Sequence, residues 1–224
     1  MADTLNRNER RKTKTIGAIL DAAAALFQEK GVQRTTIEEI AAQADVSIGS
    51  VYFHFKSKEA LYLALVEQAL DVNAEYMQQA DDPDLTPFER VLAAGDAYLR
   101  FHLERPGAFR MIALRVLEPS PGVELSAVEG RIADRVEQMV GAVEADLRAA
   151  ISAGEVRDAD AKPLMSFLWG AWNGVIALSL RQDRLRLDGD ELTDALDAGR
   201  RMMIEGLATP RAKRRLHAAN ARAG

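Results

Sequence analysis

Between Ser47 and Lys58 the chain reads SIGSVYFHFKSK. Two N-terminal serines, a glycine, two exposed-type aromatics, a histidine and two lysines stand together there without one acid. Such a set is poor at bond-breaking chemistry and good at meeting a polyanion. The hydroxyls donate to phosphate oxygens, the lysines neutralise them, and the small residues let a backbone come close to base edges. Catalytic alternatives find little support in the sequence. It has no cysteine, which excludes thiolate zinc sites and cysteine nucleophiles. Its histidines, His54, His102 and His217, lack metal-ligand spacing. No carboxylate pair sits in apolar context, and no nucleophile–base constellation or Gly-rich phosphate loop occurs. No metal and no cofactor is expected, and the chain is not read as an enzyme.

The elements that must position this segment can be read from periodicity and caps. A first helix runs from about Lys12 to Lys30, with Ile16, Ile19, Leu20, Ala23, Leu26 and Phe27 on one face and Gly31 as its stop. Thr36 followed by Glu39 is a capping box for a short second helix. Ile37, Ile40, Ala41 and Ala44 form the buried stripe of that helix. Asp45-Val46 turns the chain, and Ser47 caps a third helix of about seven residues. Val46, Val51 and Phe55 anchor this third helix inward. Ser47, Ile48, Gly49, Ser50, Tyr52 and Phe53 are left facing outward, a surface suited to a major groove. Ser57 opens a fourth helix whose apolar positions are Leu61, Leu65, Val66 and Leu70.

The run from Thr35 to Leu61, with V-S-x-G-S-V-Y-x-H-F-x-S-K-E-A-L, closely resembles the DNA-binding signature of tetracycline-repressor (TetR) family regulators. The resemblance covers about the first quarter of the chain and implies a helix-turn-helix that binds double-stranded operator DNA. Carried over residue by residue, it implies that Thr36 caps the second helix and contacts phosphate. It places Ser47, Ile48, Gly49 and Ser50 at the groove, Tyr52 and His54 on phosphates, and Lys58 on the DNA backbone. Ile48 departs from the commonest pattern, because a polar or basic side chain is frequent there. Arg7, Arg10, Arg11 and Lys12 form a basic arm with further phosphate or minor-groove contacts in reach.

Strand signals are nearly absent, so the fold class is all-α, with nine helices in two domains. Residues 1–58 form the DNA-binding domain, 59–210 a ligand-binding and dimerisation domain, and 211–224 a basic, flexible tail. Charge follows this division: the three segments carry nets of +2, -12 and +5. The acidic middle repels phosphate, so a nucleic-acid surface must lie toward the N-terminus. The acidic, proline-containing ADDPDLTP stretch is a break before Thr86-Pro87, and PSPG at 119–122 is another. Neither a secretory leader nor a membrane span is expected, which places the chain in the cytoplasm.

The helix around 163–180 is apolar almost all round and must be buried on several sides. Gly170 and Gly174 notch it for another helix. Together with Leu178, Leu192, Leu196 and Met203 they are the candidate homodimer interface. The candidate pocket for a small, largely apolar effector is drawn from Phe101, His102, Phe109, Ile112, Met139, Val143, Trp169, Trp172 and Asn173, with His102 and Asn173 as its polar anchors. In the manner the resemblance implies, effector binding releases a repressor from its operator. The alternative is a helical dimer without DNA regulation, whose C-terminal cavity serves an enzymatic or protein-interaction role.

Overall fold

Helix ends in the computed structural model coincide with the capping signals of the sequence. The structure describes the backbone of residues 7–117, 127–181 and 183–223, and their side chains except those of 114–117 and 219–223. Ten helices lie within it: α1 (Arg7–Lys30), α2 (Ile37–Gln43), α3 (Ile48–His54), α4 (Lys58–Ala80), α5 (Pro87–Glu104), α6 (Pro106–Leu117), α7 (Ala127–Ser152), α8 (Ala161–Ser179), α9 (Gly189–Leu207) and α10 (Pro210–Ala223). No named strand occurs among the described residues, only an isolated bridge between Val156 and Ala208. The all-α expectation therefore holds. The PSPG breaker lies outside the described residues.

The count of nine is corrected to ten, because the basic tail is itself a helix. Thr209 caps it, accepting from the Ala212 backbone N–H at 3.4 Å, and Pro210 opens it with a preset φ. Alanines give it high helix propensity, and Ala212 and Leu216 pack into the core beneath it. A second correction concerns α1. It begins at Arg7 rather than near Lys12, so the basic arm is two further turns of exposed helix.

The chain groups into two compact units, residues 1–70 with 107–129, and residues 71–106 with 130–224. In the first unit, Ile19, Leu20, Ala23, Leu26 and Phe27 of α1 are buried together with Ile37, Ile40 and Ala41 of α2. Each large aliphatic or aromatic side chain so buried contributes roughly 1.5–3 kcal/mol. Phe27 meets Tyr62 of α4 edge-on, with ring centroids 6.2 Å apart. The Tyr62 hydroxyl in turn donates to the Met111 carbonyl of α6 at 3.0 Å. Gly31 ends α1 at φ 84°, in the left-handed region where a Cβ is strained.

In the second unit, Phe88, Val91 and Leu92 of α5 share a core with Leu147 and Ala150 of α7, Met165 of α8, and Ala208 and Ala212 around the start of α10. A clasp of backbone hydrogen bonds holds the turns at one end. Thr209 N donates to Glu155 O at 2.9 Å and Arg157 N to Leu207 O at 2.8 Å. The Glu155 carboxylate accepts from the Phe88 N–H at 3.0 Å, satisfying an orphan donor in the first turn of α5.

Candidate nucleic-acid interface and effector cavity

The helix-turn-helix is set by caps at both ends of its turn. At the start of α2, Glu39 N donates to Thr36 Oγ1 at 3.3 Å, and Thr36 N donates to the Glu39 carboxylate at 2.8 Å. Lys30 of α1 pairs with the same carboxylate. That hydrogen bond, with the Thr36 N–H, holds the Glu39 carboxyl below its usual pKa. At the end of α2, Val46 N donates to Ala41 O at 3.0 Å and Asp45 N to Ala42 O at 3.3 Å. This double closure is a Schellman motif, with Asp45 at φ 53° in the position usually taken by glycine. Ser47 then caps α3, accepting from Ser50 N at 3.1 Å.

One residue fixes which way α3 faces. Val51 is wholly buried, whereas Ile48, Tyr52 and Phe53 are 44%, 49% and 77% exposed. Ser47 and Gly49 are exposed beside them, and Ser50 and His54 are half-buried. The Phe53 and His54 rings stack edge-on, 5.0 Å between centroids. The first turn of α3 contains no acid. The Thr36 and Ser47 oxygens are used as cap acceptors, so their hydroxyl protons remain to donate to phosphate. Lys58 is placed differently from a free backbone contact. Its ammonium donates to Thr35 O at 2.8 Å and Gln33 O at 3.2 Å, fastening α4 to the turn before α2. Phe53, the most exposed member of this face, is absent from the residues singled out in the sequence as DNA contacts. Its place two residues from buried Val51 was the available signal.

The second unit encloses a cavity of about 660 Å³. Met139 and Val143 of α7 and Trp169 and Trp172 of α8 line it, as sequence reasoning expected of a pocket. Asn173 sits behind them. Its amide N–H donates to Trp169 O, and its oxygen accepts from the Tyr98 hydroxyl, each at 2.9 Å. Burial pushes the Tyr98 phenol above its usual pKa. Phe101 is fully buried against Tyr76 and Tyr98, supporting the wall from outside. His102 is buried farther along α5, with Nε2 3.0 Å from Ser179 Oγ. Desolvation holds its pKa below the usual value. Phe109 and Ile112 are buried in the first unit, so they are not brought together with the cavity residues.

Sequence reasoning missed Met77, Val91, Gly95, Tyr98, Met165 and Leu168, all of which line the cavity. The signal was partly available. Val91, Gly95 and Tyr98 lie at i, i+4 and i+7 of α5, one stripe that also leads toward Phe101 and His102. The stripe was recognised only at its C-terminal end.

Of the interface candidates, Gly170, Gly174 and Leu178 are exposed along α8, and Phe167 is 70% exposed on the same stripe. Leu192 and Leu196 are buried within this chain, and Met203 lines the cavity. Met202, 75% exposed, is the large apolar side chain that α9 presents outward. Among the described residues no cluster of His, Asp, Glu or Cys could hold a metal ion. No described helix is long and apolar enough to cross a membrane.

A capped helix-turn-helix with an outward, acid-free second helix, joined to a larger helical unit with an apolar cavity, defines a one-component DNA-binding regulator. Comparisons with known proteins give the family. The model for bacterial regulatory proteins of the tetR family matches residues 19–65, and that for the tetracyclin repressor-like C-terminal domain matches residues 91–203. The chain belongs to the TetR family of transcriptional regulators. It is 28% identical over 158 residues to the HTH-type transcriptional regulator RutR of Escherichia coli K12, covering 69% of this chain and 70% of that one. The structure of the ketosteroid transcriptional regulator KstR2 of Mycobacterium tuberculosis superposes with a TM-score of 0.64 at 26% identity, covering 87% of this chain and 95% of that one. AibR, crystallised with isovaleryl coenzyme A and operator DNA, shares the fold with a TM-score of 0.66 at 21% identity, over 81% and 95% of the two chains.

Proposed function

We propose that this chain is a homodimeric repressor that grips an operator with two copies of α3 and releases it when a small, largely apolar molecule enters the cavity of the second unit. The exposed, acid-free face of α3 around buried Val51 carries this reading. Thr36, Ser47, Ile48, Gly49, Ser50, Tyr52 and His54 supply groove and phosphate contacts. Lys58 keeps one ammonium hydrogen for DNA while holding the turn. Arg7, Arg10, Arg11 and Lys14 recur at i, i+3, i+4 and i+7 on the exposed start of α1, so they form one basic stripe that extends the footprint. The repressor acts in the cytoplasm, where the operator is.

Dimerisation is supported by the apolar stripe of Phe167, Gly170, Gly174 and Leu178, with Met202 of α9. Large exposed apolar side chains flanking glycines let helices of a second copy approach closely. A two-fold pair of α3 helices then fits half-sites about one helical turn apart. The effector reading is supported by the apolar cavity, and by the neighbour AibR, whose crystal holds both isovaleryl coenzyme A and operator DNA. α4 offers the route between the two events. It is one continuous helix, with Lys58 fastening its start and Met77 in the cavity wall near its end. An effector that binds the DNA-competent and released states unequally shifts their balance by that ratio and no more.

The test is a mobility shift with duplexes from around the gene, repeated at rising salt. Sequence-dependent binding with a steep salt slope is the expected result, and Tyr52→Ala weakens it about ten- to a hundredfold. Equal, shallow binding to every duplex overturns the reading.

A further inference from the structure

The cavity is lined almost wholly by carbon and sulfur, so its few polar atoms decide what it can hold. Four methionines, Met77, Met139, Met165 and Met203, give it an adaptable wall. No charged side chain lines it. The nearest charges belong to an adjoining polar hollow. There Arg90 donates to Asp146 at 2.6 and 2.8 Å, and Arg135 donates to Asp71 at 2.6 Å, so these charges are already matched. The Tyr98 hydroxyl is taken by Asn173, and the Asn173 amide by Trp169 O.

Trp172 is the exception. Its Nε1 is buried and finds no acceptor among the described residues. The ring cannot swing toward one, because it lies between two glycines. A Cβ on Gly95 of α5 would stand 3.6 Å from Nε1, and a Cβ on Gly199 of α9 would stand 3.6 Å from Cζ3. Gly95 lines the cavity with Trp172, so the Nε1 edge of the indole is the edge beside open space. A buried donor left without an acceptor is costly, and a fixed ring keeps it so until something brings an oxygen.

Resting on the reading of this cavity as the effector site, we propose that Trp172 Nε1 donates a hydrogen bond to the effector, and that the effector is an uncharged hydrocarbon body bearing a carbonyl oxygen, as in a ketone, ester or lactone. Charge is disfavoured because nothing in the wall pairs with it. A hydroxyl fits less well, because its own hydrogen would then need an acceptor, and the wall offers only thioether sulfur, a weak one. A carbonyl accepts and demands nothing in return.

The chain has two tryptophans, so a proton–nitrogen spectrum of the full-length protein has two indole N–H signals, and Trp172→Phe assigns them. The probes are 2-undecanone and 2-methyl-1-undecene, which differ in having O or CH₂ at one position. Both enter the cavity, and only the ketone moves the Trp172 signal downfield, as hydrogen-bond formation requires. By calorimetry, Trp172→Phe weakens the ketone about five- to tenfold and leaves the alkene within about twofold. The spectrum is read on the unaltered protein, so the proposal stays open to refutation even where the variant folds poorly. If both probes bind and shift the signal alike, or the variant weakens both equally, the carbonyl proposal falls and the effector cavity stands. If neither binds, both fall, and DNA binding by α3 is judged separately by mobility shift.

Discussion

The two units use apolar side chains in opposite ways. In the first, Ile48, Tyr52 and Phe53 are pushed into solvent on a convex helix while Val51 alone is pulled in. In the second, methionines and tryptophans from four helices turn inward around empty space. An outward face costs little to alter, because its residues hold up nothing behind them. An inward wall is coupled to packing, so changing it changes stability, shape and binding together. The contrast teaches where function and fold separate: at α3 they are nearly independent, and at the cavity they are the same atoms.

Five experiments break or sharpen that contrast. The largest effect is expected from Ile48→Glu, which sets an acid against the phosphates and bases. Operator affinity falls at least about a hundredfold by mobility shift, since like-charge contact costs several kcal/mol. The melting temperature barely moves, because the site is exposed and its stability change stays within about 0.5 kcal/mol. Next is Phe167→Asp on the α8 stripe. Sedimentation shows a monomer, and DNA affinity falls about ten- to a hundredfold as the paired half-site contact is lost. Third, Ala94→Phe projects a ring into the cavity. Titration with 2-undecanone weakens at least about tenfold, while operator binding without the ketone stays within about twofold.

The fourth concerns acid. Burial holds the His102 pKa below its ordinary value, so in the unfolded chain this imidazole binds a proton at higher pH than in the folded one. The stability of the neutral form is fully present above about pH 6.5 and is lost as pH falls below it toward the folded pKa. Thermal melts of the parent protein should decline from pH 7.5 to 5.5 more steeply than those of His102→Gln. The smallest effect is a gain. A methyl on Gly95 would meet Trp172 at ordinary contact distance, so Gly95→Ala should stabilise α5 by about 0.5–1 kcal/mol. That amounts to a melting shift of a few degrees, about 2–4 °C per kcal/mol for a chain of this size.

The sequence by itself determined the elements and the first site. Capping boxes at Thr36 and Thr86, the stop at Gly31 and the prolines opening α5 and α10 are local signals, settled by hydrogen bonds within a few residues. The α3 surface was legible for the same reason: its residues are contiguous, and one buried valine fixes their orientation. The tail was misread as flexible because Ala212 and Leu216 become core positions only when α5 and α7 lie beneath them. Tertiary structure alone decided the rest. It turned Leu192 and Leu196 inward while leaving Phe167 and Met202 outside, though all four are equally apolar on paper. It put Lys58 on two carbonyls of a distant turn, and Trp172 between glycines of two other helices. Periodicity tells which side chains share a helix face. What that face meets is settled by packing between segments far apart in the chain, and no local pattern encodes it.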